Sequence, residues 1–204
     1  MAIVVVGGSN RGVGKTALIC GLIAALPEFR WTAVKITTHD YGQTQPIWEE
    51  PTAGQETDTG RFLAAGAVRA LLATPFLRDR PPAPDFPSLL NELWPKFGRG
   101  TNLLIESNSI VHYVRPDLCL LIHGGPGKGL APLIRKPSFT AAVPYAHALV
   151  ARSRADAVTP DGLCLPGPDP NADQIPAPKP IFHLAALDRV SPQMLAWVRE
   201  RVRL

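Results

Sequence analysis

In the run Gly7-Gly8-Ser9-Asn10-Arg11-Gly12-Val13-Gly14-Lys15-Thr16, small residues lead directly into a lysine and a threonine. These residue types at this spacing are suited to holding phosphate. Glycines let successive backbone N–H groups turn inward around phosphate oxygens, and a helix N-terminus behind them adds partial positive charge. A lysine at position 15 would reach the β- and γ-phosphates, and a threonine hydroxyl at position 16 would ligate magnesium. The expected nucleotide-binding residues are therefore Ser9, Asn10, Arg11, Gly12, Val13, Gly14, Lys15, Thr16 and Ala17. Ser9 stands where the usual phosphate-loop pattern has glycine, and a side chain this small still permits a tight turn.

A triphosphate site also needs carboxylates that hold magnesium directly or through water, placed at the ends of neighbouring strands. Glu106 follows the apolar run Leu103-Leu104-Ile105 at once. It reads as the metal-side carboxylate, or as an ordinary charge leaving a buried strand. Asp58 either ligates metal or N-caps a helix at 59 to 66, and the two roles are compatible. His39 and Asp40 follow another apolar run, His39 as a phosphate contact and Asp40 as a group that positions water; both also read as exposed loop residues. Lys35 is a second phosphate-directed cation or the partner of a nearby carboxylate. The catalytic candidates are Lys15, Asp40 and Glu106, and the metal candidates are Thr16, Asp58 and Glu106.

The elements that must position these residues follow from periodicity. A β-branched run at 2 to 6 enters the glycine turn, and Leu18, Ile19, Leu22, Ile23 and Leu26 form a helical stripe that Pro27 ends. Strands are expected at 32–37, 67–73, 101–105, 117–122, 155–159 and 180–184, and helices after Asp58, near 88–94, at 144–152 and from Ser191. Residues 43 to 58, the second glycine-rich segment His123 to Gly129, and the proline-rich stretch 166–180 read as loops. Strands alternating with helices predict an α/β fold with a mostly parallel, doubly wound sheet.

With 204 residues, 46% of them hydrophobic, the chain reads as one domain spanning 1–204. A net charge of +4 with no block of Lys or Arg does not call for nucleic acid, and the first apolar run is too short for a signal peptide or a membrane span. Cys20, Cys119 and Cys164 are scattered without metal-ligand spacing, which suits a reducing, cytoplasmic compartment.

Taken in order, Lys35-Ile36-Thr37-Thr38-His39-Asp40, then Asp58-Thr59 ahead of Ala65-Gly66-Ala67, then Ile105-Glu106-Ser107 resemble the molybdopterin-guanine dinucleotide biosynthesis protein B family. The likeness covers about residues 3 to 123. It implies a three-layer P-loop NTPase fold, binding of GTP with magnesium, slow GTPase activity, a homodimer, and an adaptor role beside a molybdopterin guanylyltransferase-like protein. Ser107 departs from the glycine usual in that family. No Asn-Lys-x-Asp guanine motif is present, so GTP over ATP rests on the resemblance, with Thr159-Pro160-Asp161 a candidate base contact. Two other readings stay open: a non-catalytic, nucleotide-gated adaptor, and a small-molecule kinase or ligase resembling dethiobiotin synthetase.

Overall fold

The computed structural model describes residues 1–38, 45–75, 84–98, 100–123, 137–151 and 179–202. Among the described residues, eight strands form one sheet: β1 (Ile3–Gly8), β2 (Trp31–Ile36), β3 (Ile47–Glu49), β4 (Arg69–Ala73), β5 (Asn102–Glu106), β6 (Leu118–His123), β7 (Ala148–Ala151) and β8 (Ile181–His183). Their order is β3-β4-β2-β5-β1-β6-β7-β8. Every pairing is parallel except that of β3 with β4. The described residues also form five α-helices, α1 (Lys15–Ala25), α2 (Asp58–Ala64), α3 (Phe86–Leu93), α4 (Pro137–Ala142) and α5 (Pro192–Val202), and four single-turn 3-10 helices.

Strands buried on both faces explain why β1, β5 and β6 read as unbroken apolar runs. Alternate residues feed two cores. Val4, Val6, Leu104, Leu118 and Leu120 pack with α1, Phe62 of α2 and Met194 and Val198 of α5. Val5, Leu103, Ile105, Cys119 and Leu121 pack with Phe86, Leu89 and Leu93 of α3 and Phe139 of α4. The result is three layers, helix, sheet and helix, as the alternation of elements required. Helix α1 is embedded in the first of these cores, with Leu18, Ile19, Leu22 and Ile23 all buried. Gly21 keeps its outer surface flat enough for the turn after β8 to lie on it. A Cβ there would meet the Asp188 carbonyl oxygen at 2.8 Å.

Three expectations change. Residues 43 to 58 are not wholly loop, because Ile47–Glu49 forms the antiparallel edge strand β3 against β4. The described part of the expected helix at 144–152 is otherwise: a 3-10 turn closes at Tyr145, and Ala148–Ala151 is the parallel strand β7, held between β6 and β8. Pro144 stops helix propagation, and a strand slot between two partners overrides the helical leaning of Ala and Leu. Asp58 does not cap α2. Thr57 is the N-cap, its hydroxyl accepting from the Gly60 amide, while Asp58 opens the first turn. The expected strand at 155–159, the loop at 124–129 and most of the 166–180 stretch lie outside the described residues. Among the described residues no helix is long and apolar enough to cross a membrane.

Asn102 ties the sheet's entry edge together. Its buried amide accepts from the Ala2 N–H at 2.9 Å and donates to the Phe29 carbonyl at 2.8 Å. Asn102→Ala leaves both backbone groups without that partner and is expected to cost about 2 kcal/mol of stability, measured as a lower urea midpoint at unchanged slope.

Candidate functional site

The register of the parallel sheet assembles the site. Val6, Glu106 and Lys35 lie in one cross-strand row, Val6 opposite Glu106 and Glu106 opposite Lys35. On β5 and β2, Leu104 and Ala33 precede Glu106 and Lys35 on the same face of the sheet, the face that α1 covers. The apolar rows of that core therefore end in one carboxylate and one ammonium at the carboxyl edge of the sheet, where open α/β sheets bind ligands.

The phosphate loop arrives at the same edge. β1 ends at Gly8, Ser9 donates its amide to the Ile122 carbonyl at 2.9 Å, and the chain turns through Gly12 and Gly14 before α1 opens on Lys15. Gly14 is the N-cap of α1 with φ of 102°, in the left-handed region that a Cβ disfavours. The approach is also tight: a Cβ on Gly14 would fall 2.2 Å from Leu187 Cδ1, so this glycine both turns the loop and admits the segment after β8.

Thr16, two residues into that turn, donates its hydroxyl to Glu106 Oε2 at 2.9 Å. Lys15 Nζ and Lys35 Nζ each stand 3.9 Å from Glu106 Oε1. Lys35 also pairs directly with Asp58, whose other oxygen lies 3.7 Å from Arg61 Nη1. Five of the residues singled out from the sequence, Lys15, Thr16, Lys35, Asp58 and Glu106, thus meet around two carboxylates joined through Lys35. They line a cleft of about 450 Å³ together with Arg11 and Gly12. Asn10 and Arg11 are exposed, and Ala17 borders the same cleft. His39 and Asp40 lie outside the described residues.

Burial shapes the two carboxylates differently. Glu106 is 6% exposed, and its burial raises its pKa above the ordinary glutamate value, against the pull of Lys35 and Lys15. Burial pushes Asp58 the same way, but the hydrogen bond and charge of Lys35, helped by Thr16 and Arg61, outweigh it and hold the Asp58 carboxyl below its usual value. A depressed folded pKa contributes stability that is present above the ordinary aspartate value of 3.8 and is lost as pH falls through the folded value. Lys35→Met is accordingly expected to lower stability by about 1 kcal/mol at neutral pH. In urea titrations, the gap between variant and parent should narrow as the pH falls below the ordinary aspartate value of 3.8.

The donor set tests what cation fits. Thr16, Glu106 and Asp58 offer only hard oxygen ligands, the type that magnesium takes. Among the described residues there is no group of three or more His, Cys, Asp or Glu that would cage a metal unaided. Magnesium suits this arrangement, because it is ordinarily held by one or two carboxylates with substrate phosphates and water completing the shell.

Sequence reading passed over Asn108, Arg61, Phe86 and Ser138, all of which line the cleft. Asn108 carried one available signal, its place two residues past a strand-end glutamate.

No family model matches the chain, and no curated protein sequence matches it. Two solved structures share its architecture. HypB from Helicobacter pylori, in complex with nickel, is 13% identical with a TM-score of 0.54, covering 99% of this chain and 87% of HypB. The "apo" form of LpxK from Aquifex aeolicus, in complex with ATP, is 14% identical with a TM-score of 0.50, covering 89% of this chain. The chain spans about half of LpxK, 53% of its length. The sheet order, the glycine loop between β1 and α1, and these two likenesses give the chain the three-layer α/β fold of the P-loop NTPases.

Proposed function

We propose that this chain binds a nucleoside triphosphate with magnesium and hydrolyses it slowly. The observation that carries this reading is the contact between Thr16 and Glu106 at 2.9 Å, with Lys15 and Lys35 each 3.9 Å from the same carboxylate. A hydroxyl from the first turn of the loop's helix and a carboxylate from the adjacent strand end share one position, and two ammonium groups flank it. Magnesium, when bound there, would supply positive charge that offsets the negative charge developing during phosphoryl transfer. Thr16 and ionised Glu106 would hold the cation, and Asp58 could join them after exchanging Lys35 for it. Lys15 and Lys35 would bind phosphate oxygens and orient the chain of phosphates, so catalysis is mostly positioning and charge stabilisation. LpxK shares the fold and was solved with ATP, which supports a nucleotide at this loop.

The finer reading is a GTP-dependent adaptor beside a molybdopterin guanylyltransferase-like protein, with the chain as a homodimer. It is supported by the order of Lys35, Asp58 and Glu106 along the sequence, and these are the groups that meet in the cleft. Phosphate release from MgGTP and MgATP tests the proposal. Slow turnover with either nucleotide, abolished by EDTA, is the expected result; turnover that is absent or indifferent to magnesium would count against it. A higher rate with GTP would favour the adaptor reading. Turnover appearing only on addition of a small acceptor would favour the kinase or ligase.

A further inference from the structure

On one side of β1 the sheet runs out before the phosphate loop begins. The ladder with β6 continues to Gly8, opposite Ile122, and Ser9 still donates to the Ile122 carbonyl. The ladder with β5 ends two residues earlier, at Val6 opposite Glu106, followed only by the Ser107 amide donating to the Val6 carbonyl at 3.1 Å. Beyond it the chain turns away, with the Ser107 hydroxyl accepting from the amides of Ser109 and Ile110 at 3.2 and 3.3 Å. Gly8 would therefore face β5 with a peptide group that no neighbouring strand satisfies.

The Asn108 side chain fills that place. Its Oδ1 accepts from the Gly8 N–H at 2.7 Å, and its Nδ2 donates to the Gly8 carbonyl at 3.0 Å. A side-chain amide has the same donor and acceptor as a peptide group, so this reciprocal pair copies one rung of a ladder. The second Nδ2 hydrogen points to Ser138 Oγ in α4, at 3.3 Å. Room for the amide comes from Gly7: a Cβ there would lie 2.7 Å from Asn108 Oδ1. Asn108 is also two residues from Glu106, so one short turn fixes the metal-side carboxylate and the start of the phosphate loop relative to each other.

We propose that Asn108 is a positioning residue for the phosphate loop, its amide serving as a surrogate strand that holds Gly8 where the following N–H groups converge on phosphate. The proposal rests on the nucleotide-binding reading above. A misplaced cradle loses binding steeply, because small displacements of preorganised groups are costly.

The test is calorimetric titration with MgATP, MgGTP and inorganic tripolyphosphate at a temperature where circular dichroism shows every variant folded. Asn108→Ala should weaken all three by about tenfold. Asn108→Asp keeps the shape and the acceptor but sets a carboxylate oxygen against the Gly8 carbonyl, so it should bind more weakly still. A side chain that merely filled space would be replaced at little cost by the similarly branched, uncharged Leu, whereas Asn108→Leu supplies neither Gly8 bond and should bind as weakly as Asn108→Ala. Equal affinity in parent, Asn108→Ala and Asn108→Asp would overturn the role of Asn108 and leave nucleotide binding standing. Failure of the parent itself to bind any of the three would overturn both.

Discussion

Lys15→Ala is expected to weaken binding of a magnesium nucleoside triphosphate by about 100-fold or more while leaving the unfolding temperature nearly unchanged. The size follows from charge-assisted hydrogen bonds worth about 1.5–3 kcal/mol each, at roughly 1.4 kcal/mol per tenfold in affinity. The lysine opens α1, whose N-terminus favours an anion, and its side chain is mostly buried, so its ammonium would act in a partly desolvated setting. Its cost to the fold is small for a different reason. Lys15 Nζ reaches the Asn10 carbonyl at 3.4 Å and Glu106 at 3.9 Å, both long contacts, and its side chain is 19% exposed. Calorimetry read beside a thermal melt separates the two effects; a large fall in melting temperature would mean that Lys15 holds the fold and not the ligand.

Glu106→Gln is the second large effect, and it should fall on magnesium dependence. The amide can still accept the Thr16 hydroxyl, but it brings no charge to a cation. Turnover should drop by about 100-fold, in the range seen when a preorganised charge-stabilising group is removed, and the remaining nucleotide binding should respond little to magnesium. Stability should hold. Burial of Glu106 already disfavours its charged form, Lys35 retains Asp58 as a partner, and Lys15 retains solvent. In the parent, proton and cation compete for this carboxylate. Because its pKa is raised above the ordinary 4.5, the magnesium-dependent part of the affinity should begin to fall at a higher pH than for a solvated glutamate, and Glu106→Gln should flatten that profile.

What the sequence made legible was local or sat at a strand end. The β1 run, the glycine turn and the first helix are contiguous, so their signals reinforce one another over residues 3 to 25. Glu106 stood out at the end of an apolar run, Lys35 as a charge inside one and Asp58 at a helix start; parallel pairing then set Lys35 beside Glu106, and the ion pair of Lys35 with Asp58 joins α2 to them. The register that makes Lys35 and Glu106 neighbours is a tertiary fact, and the alternatives for Lys35 stayed open until it was known. β7 was hidden because Ala148-Leu149-Val150-Ala151 carries no strong local preference and becomes a strand through its neighbours β6 and β8. Thr57 as the cap of α2 was masked by Asp58, an equally good capping residue one position on. The Asn108 clamp joins residues 100 positions apart, beyond the reach of any local pattern.

The central claim, a magnesium-nucleotide site built from Lys15, Thr16, Lys35, Asp58 and Glu106, is tested most directly by titrating the whole chain with GTP and with ATP, each with magnesium and with EDTA. The account predicts saturable binding of at least one nucleotide, tighter with magnesium by tenfold or more. Affinity for neither nucleotide, or affinity that magnesium leaves unchanged, would contradict it.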